Sequence, residues 1–240
     1  MITVSGTGPR PDTSTTIRNA SLIAGVGLLV MAALSGFGYF VAVKGLVTPG
    51  DAARTATDIK GSETLFQFGI VSLFVVAVLD VIVAWALYHV FRPVSQGISM
   101  LAAWLRLAYA VVFLVAIAHL LEVPRLLGND RYLAVFSSTE LQAQALSKID
   151  AFSDVWHAGL ALFGAHLIVV AYLAYRSGTF PKLLGVLLAI AGVGYLFDSF
   201  AATLTGSSPE VSSYTFLGEF LLALWLVIRG RRCLQSTGSA

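Results

Sequence analysis

Long apolar stretches alternate with short polar connections along this chain of 240 residues. Six of the stretches have the roughly 20 residues that an α-helix needs to cross about 30 Å of hydrocarbon. They comprise residues 19–43, 64–88, 97–121, 151–175, 183–204 and 211–228. Because backbone groups in lipid must form their hydrogen bonds within their own segment, each stretch is predicted to be a helix. The pattern therefore predicts an all-α, polytopic membrane protein built as a bundle of six transmembrane helices.

The composition agrees with this class. Hydrophobic residues make up 57% of the chain and charged residues 12%, whereas about a quarter of the residues of a soluble domain are charged. We predict a disordered N-terminal lead-in, one six-helix transmembrane domain and a cytoplasmic C-terminal tail, comprising residues 1–18, 19–229 and 230–240. The net charge of +2 argues against nucleic-acid binding. Cys233 is the sole cysteine, which excludes an intrachain disulfide and a thiolate metal site.

Basic residues in the connections predict the orientation, because Lys and Arg favour the cytoplasmic side. A cluster of arginines at 229–232 directly follows the last stretch. We expect a prokaryotic inner-membrane protein with both termini in the cytoplasm. On the opposite side, Asp51 is a predicted N-cap, and Ser137 and Glu140 have the spacing of a capping box. The sequence therefore predicts short interfacial helices on the outer side.

Two opposite charges inside neighbouring stretches predict a buried ion pair. Asp80 and Arg106 lie about ten and nine residues from adjacent ends of the second and third stretches. Counting 1.5 Å per residue puts both at a depth of roughly 12–15 Å. An isolated charge in hydrocarbon is costly, so we expect the two side chains to pair. The pair has two interpretations: a structural contact that fixes helix register, or a gate or clamp for a substrate carboxylate.

A second set of ionisable residues is predicted to share one layer in the outer half of the bundle, roughly 10–12 Å deep. The set consists of His119, Glu122, Asp154, His157, Asp198 and Glu219. Two imidazoles and four carboxylates match the ligand count of helical-bundle di-metal sites and suit zinc, iron or manganese. All six are candidate ligands of a divalent metal. The four from Asp154 to Glu219 are also a candidate metal-free polar cluster, which would serve as a proton relay, a substrate pocket or a structural hydrogen-bond network.

Other cofactors are argued against. No lysine lies inside a stretch, which excludes a retinal Schiff base, and no G-x-x-x-x-G-K-[ST] motif indicates a nucleotide site. His89 and His166 do not match in depth, which argues against a haem held between them. His166 lies nine residues beyond His157 and so on the opposite face of its helix. We therefore leave His166 out of the cluster and expect it to bond a neighbouring backbone or hydroxyl group.

Several segments, spread from about residue 20 to 230, form a combination typical of one family. They include TPGDAARTATDI, LDVIVAWALYHVFRPVSQ, FGAHLIVVAYLAYRSGTFPKLLGVLL and GEFLLALWLVIRG. In these segments the chain resembles the uncharacterised prokaryotic membrane family catalogued as domain of unknown function 4386. His119 and Glu122 lie outside the matching segments. The resemblance implies a multi-helix membrane protein and no established activity.

Three functions remain open at this point. The first is a metal-dependent enzyme that acts on a lipid or small molecule at the outer leaflet. The second is a proton- or cation-coupled transporter or binding protein, in which Asp80 and Arg106 form an inner gate. The third is a structural membrane subunit without chemistry of its own. Membrane lipid is the expected partner in each, and the oligomeric state is left open.

Overall fold

A computed structural model describes residues 13–206 and 209–228, and within these ranges the ordered elements are all helical. Five helical stretches of 24 to 39 residues are long and apolar enough to cross a membrane. In chain order the α-helices are α1 (Thr13–Ser35), α2 (Ala52–Gly61), α3 (Glu63–Phe91), α4 (Gln96–Gly128), α5 (Asp130–Leu133), α6 (Ser138–Arg176), α7 (Lys182–Thr205), α8 (Ser212–Thr215) and α9 (Leu217–Ile228). The predicted all-α membrane class is confirmed, with five candidate spans.

The bounds differ from the prediction at both ends of the chain. Helix α1 begins at Thr13, inside the predicted lead-in. The polar residues before the apolar stretch show where the helix leaves the apolar region, but the helix itself continues through them. The predicted sixth stretch forms the shorter helices α8 and α9. The first twelve residues and the predicted tail with Cys233 lie outside the described residues.

The surface of the bundle is apolar, as the exposed face of α7 illustrates. Large side chains on this face recur every three or four residues and are all exposed: Leu183, Val186, Ile190, Val193, Phe197, Phe200 and Leu204. This spacing puts them on one side of the helix. The buried side of α7 carries Asp198 and Ser199. A bundle with apolar groups outside and polar groups inside is suited to a lipid environment.

Helices α6 and α7 cross closely at a pair of glycines. A Cβ added to Gly164 would lie 2.6 Å from the carbonyl oxygen of Gly192, and one added to Gly192 would lie 2.7 Å from the carbonyl oxygen of Gly164. Small residues let helix backbones approach in this way in membranes. The contact holds the two helices together beside the polar interior of the bundle.

Helix α1 continues as a π-helix, Gly36–Val43, followed by a short 3-10 turn, Lys44–Leu46. The amide of Lys44 donates to the carbonyl of Tyr39, five residues earlier. Single wide turns of this kind inside helices are frequent at functional sites. The ring of Tyr39 meets that of Trp156 on α6, with their centroids 4.6 Å apart. One face of the π-helix, which includes the buried Gly38, Ala42 and Val43, thus packs into the bundle.

Both predicted helix starts in the connections are present. Asp51 Oδ1 accepts a hydrogen bond of 2.9 Å from the amide of Arg54 and caps α2. Ser137 and Glu140 form the capping box at the start of α6, which then runs without interruption to Arg176. The placement of the short helices on the outer side of a membrane stays a prediction.

Candidate functional site

A buried ion pair lies at the centre of the bundle. Arg106 Nη2 on α4 is 2.8 Å from Asp80 Oδ1 on α3, and each side chain is only 1% exposed. The structure thus brings together the two residues that depth counting paired. Breaking such a pair leaves an uncompensated buried charge, so each residue depends on the other for its position.

Glu219 on α9 lies beside the same arginine. Its Oε1 is 3.8 Å from Arg106 Nη2, and its side chain is 19% exposed. The prediction put Glu219 in a separate outer layer, because it treated the sixth stretch as one full-length span. Instead α9 begins inside the bundle, with Gly218 packed against the backbone of Leu187. Glu219 therefore belongs to the Arg106 centre and not to an outer layer.

His166 on α6 completes the surroundings of the guanidinium. Its Nδ1 is 2.8 Å from the carbonyl oxygen of Ala102, and its Nε2 is 3.2 Å from Arg106 Nη1. A carbonyl only accepts and a guanidinium only donates, so Nδ1 donates and Nε2 accepts. The expected backbone bond is confirmed. Sequence reasoning missed the bond to Arg106.

The missed contact had a signal in the sequence. Arg106 lies ten residues after the start of α4, and His166 lies ten residues before the end of α6. In antiparallel neighbours, the start of one helix and the end of the other lie on the same side of the bundle. The two side chains therefore lie at the same depth. Counting both from that end of the bundle would have paired them. Measuring His166 only against His157 on its own helix concealed the match.

Aromatic and thioether groups cover the rest of the arginine. The guanidinium carbon of Arg106 lies 5.3 Å from the ring centroid of Phe163, and its Nη2 lies 3.8 Å from Met31 Sδ. A guanidinium near an aromatic face is favourable, more so when it is desolvated. Beside it, Trp156 Nε1 donates to the Tyr109 hydroxyl over 3.0 Å. We name Asp80, Arg106, His166 and Glu219 the charged centre.

A cavity of about 380 Å³ extends from the charged centre. Asp80, Arg106 and Glu219 line its buried part, and the half-exposed Glu210 lies on its rim. Much of the wall between them is aromatic, including Tyr39, Tyr109, Trp156, Phe163, Tyr195 and Phe216. Small-molecule sites typically measure about 300–1,000 Å³ and combine apolar walls with a few placed polar groups. The cavity has the size and composition of such a site.

Asp198 has a structural partner of its own. The residue is buried, and its carboxylate accepts hydrogen bonds of 2.9 and 2.7 Å from the amides of Val211 and Ser212. These bonds tie the start of α8 to the side of α7. The prediction placed this carboxylate in a cluster with His157, but its oxygens instead accept hydrogen bonds from these two backbone amides.

His119 and Glu122 form part of a different, half-exposed group. Glu122 Oε2 is 2.8 Å from Lys148 Nζ on α6, while His119 Nδ1 is 4.0 Å from Glu122 Oε1. The prediction placed no base in this layer, because Lys148 precedes the apolar part of its helix. Helix α6 begins at Ser138, and this early start brings the lysine within reach of α4.

The six-residue metal set is therefore not assembled. Asp154 is exposed, whereas His157 is half-buried and lines the cavity. Across the described ranges, no group of three or more His, Cys, Asp or Glu side chains is arranged to hold a metal ion. Counting along a helix gives the depth of a side chain, but it does not give the direction in which the side chain points around the bundle. The prediction used depth alone and had no information on that direction.

The chain matches the family described as "Domain of unknown function (DUF4386)" over residues 23–230. It is also similar to an uncharacterised protein of Archaeoglobus fulgidus, with 36% identity over 165 residues, which is 69% of this chain and 85% of that protein. No solved structure matches the chain. The predicted family resemblance is confirmed, and the matched range contains the charged centre.

Proposed function

Because the chain belongs to the DUF4386 family, whose description names no activity, we propose a function from the geometry: an integral membrane protein that binds a small amphiphilic organic molecule in the cavity between its helices.

The observation that carries this proposal is the continuity of the cavity with the charged centre. Ionisable groups inside a membrane bundle are costly, and they typically mark ligand or ion pathways. Here Asp80, Arg106 and Glu219 lie at the buried part of a cavity of about 380 Å³ with largely aromatic walls. An amphiphilic molecule fits this arrangement, with its apolar part against the rings and its polar head toward the charges.

Among the three functions left open by the sequence, binding or transport has the best support. The metal-dependent enzyme drew on six residues that do not come together in one site among the described residues. A purely structural subunit has no use for a cavity of this size, because well-packed interiors contain few voids larger than a water molecule. Asp80 and Arg106 would then orient the ligand at the buried end of the cavity.

We extend the proposal to topology: Ser212–Ile228 is the sixth crossing, and both termini face the cytoplasm of a prokaryotic inner membrane. In support, this segment is apolar, and Leu222 and Leu226 of α9 are fully packed. The arginines at 229–232 follow it directly and favour a cytoplasmic end.

The single native cysteine gives a direct test of topology. In intact cells a membrane-impermeant maleimide should not label Cys233, but it should label Val135→Cys made in a Cys233→Ser background. Val135 is 76% exposed in the connection between α4 and α6. Labelling of both positions would show that Ser212–Ile228 does not cross. Labelling of Cys233 alone would show the reverse orientation.

Ligand binding can be tested by filling the cavity at Gly36. This glycine lines the cavity on a stripe with Met31, Ala32, Ser35 and Tyr39, and a Cβ added to it would meet nothing within 4 Å. Gly36→Phe should therefore fold and occupy ligand space. The probes are 3-phenylpropylamine, 3-phenylpropanol and 3-phenylpropanoate, measured by equilibrium dialysis against protein in phosphatidylcholine nanodiscs, with empty discs subtracted.

The matched control for this test is Gly97→Phe. Gly97 is exposed near the start of α4, lies outside the cavity lining and has the same open space around a Cβ. We expect saturable binding of at least one probe, lost in Gly36→Phe and kept in Gly97→Phe. If no probe binds saturably, or if the two variants bind equally, the proposed cavity function is wrong.

A further inference from the structure

We infer that the molecule bound in the cavity is an organic cation, such as an amine, whose positive group is neutralised at Glu219 and Asp80. The inference rests on the proposed binding function and adds the chemical class of the ligand to it.

The lining of the cavity carries more acidic than basic side chains. Three carboxylates line the cavity, those of Asp80, Glu210 and Glu219, together with the guanidinium of Arg106 and, away from the buried part, the half-buried imidazole of His157. On the rim, Glu210 pairs with Lys44, whose Nζ is 2.5 Å away. In the buried part, Asp80 Oδ1 lies 2.8 Å from Arg106 Nη2, while Glu219 Oε1 lies 3.8 Å from the same nitrogen. In the buried part, two carboxyl groups therefore face one guanidinium, which is one acidic group more than the arginine can neutralise.

One carboxylate oxygen in the buried part of the cavity is an unused hydrogen-bond acceptor. Asp80 is 1% exposed and lines the cavity, yet its Oδ2 has no hydrogen-bond partner within the described part of the chain. A buried acceptor left without a donor costs roughly 1–3 kcal/mol, and more when it is charged. An ammonium group carries up to three N–H donors and one positive charge. It would supply the missing donor and a positive charge beside two acidic groups that share one guanidinium.

The wall of the cavity near these carboxylates is aromatic. The rings of Tyr109, Phe163 and Tyr195 line the same cavity as the two carboxylates. Aromatic faces attract cations, most strongly where water is excluded. Their apolar surface also makes an unneutralised carboxylate costly, which favours a ligand that brings a positive charge.

The opposite assignment, an anionic ligand held by Arg106, fits the contacts less well. The two terminal nitrogens and the face of the guanidinium are already engaged by Asp80 Oδ1, by His166 Nε2 and by the ring of Phe163, and its buried Nε is the donor without a partner among the described residues. An anion would have to displace Asp80 or lie beside two carboxylates. It would bring a third negative charge to a site that has one positive charge.

The three probes separate these cases because they share a phenylpropyl body and differ in the charge of the head group near pH 7. We expect 3-phenylpropylamine to bind about tenfold tighter than 3-phenylpropanol, a difference of about 1.4 kcal/mol, and 3-phenylpropanoate to bind weakest. Glu219→Gln keeps the shape of the side chain and removes its charge. It should bring the amine and the alcohol to nearly equal affinity.

Asp154→Asn is the matched control, because it removes a carboxylate that is exposed and outside the lining. It should keep the preference for the amine. Retained binding of the alcohol by Glu219→Gln shows that the cavity is intact in that variant. An Asp80→Asn variant gives a second measure, with a reduced preference for the amine.

The outcomes separate the two proposals. If no probe binds, the proposed function fails and the inference fails with it. If the alcohol or the carboxylate binds as tightly as the amine in the wild-type protein, the cavity function stands and the cationic ligand is wrong. If Glu219→Gln and Asp80→Asn both keep the full preference for the amine, these two carboxylates are not its partners and the assignment is overturned.

Discussion

Two ion pairs in this protein have the same distance between nitrogen and oxygen and very different surroundings. Arg106 Nη2 and Asp80 Oδ1 are 2.8 Å apart at the centre of the bundle, and Lys148 Nζ and Glu122 Oε2 are 2.8 Å apart where α4 and α6 meet near their ends. The central side chains are 1% exposed, whereas the lysine and the glutamate are 35% and 43% exposed. Distance is equal in the two pairs, so burial decides what each contributes.

The difference follows from the alternatives open to each charge. Near the helix ends, a side chain that loses its partner turns to water, and such exposed pairs are worth roughly 0–1 kcal/mol. At the centre, Arg106 is enclosed by Asp80, His166, Phe163 and Met31. A charge freed there stays buried, and breaking such a pair typically costs about 3–5 kcal/mol.

The sharpest test of this comparison is Arg106→Met. Methionine fills similar space but leaves the carboxylates of Asp80 and Glu219 without their cation. We expect a loss of about 3–5 kcal/mol in the free energy of unfolding, measured by denaturant titration in mixed micelles. The double variant Asp80→Asn/Arg106→Met should recover part of that loss. If Arg106→Met costs less than about 1 kcal/mol, the central pair is no different from an exposed one.

An intermediate effect is expected at Asp198, a buried carboxylate whose partners are backbone amides. Asp198→Asn keeps one acceptor oxygen for the amides of Val211 and Ser212 and loses the other, together with the charge. We expect a loss of about 1 kcal/mol and faster hydrogen exchange at residues 211–216. Unchanged exchange in that segment would show that Asp198 does not hold it.

The smallest effect is expected at Glu122. Because Lys148 is half-exposed, Glu122→Gln should lower the free energy of unfolding by less than about 1 kcal/mol. Added salt should reduce the difference from wild type, since exposed charges are screened over about 10 Å at 0.1 M ionic strength. A salt-independent loss of several kcal/mol would contradict the contrast between the two regions.

The same contrast explains what sequence reasoning could and could not reach. The first five apolar stretches, the capping box at Ser137 and the pairing of Asp80 with Arg106 were all predictable, because each depends on local pattern or on depth along a helix. Predicting whether the six candidate metal ligands come together required knowledge of helix rotation as well. Whether His157 faces His119 or Glu219 depends on how each helix is rotated about its axis in the bundle. One amino-acid sequence alone does not determine that rotation by residue counting.

Glu219 and His166 illustrate the same limit in opposite ways. The depth of Glu219 was misjudged because α9 begins at Leu217, well inside the bundle, while the prediction began its span at residue 211. The depth of His166 was available from the sequence, yet its contact with Arg106 depends on α4 and α6 being direct neighbours. Helix adjacency is therefore the information that would have completed the charged centre.

The π-helix at Gly36–Val43 has a consequence for insertions and deletions. In an α-helix each residue advances the chain by about 100° around the axis, so inserting or removing one residue here would rotate one flank by about that angle relative to the other, unless the winding of the π-helix changed to absorb it. Tyr39 and Lys44 lie in or just after the π-helix, and both have distant partners, Trp156 on α6 and Glu210 in the connection before α8. Chain length in this segment is therefore constrained even where residue identity is free.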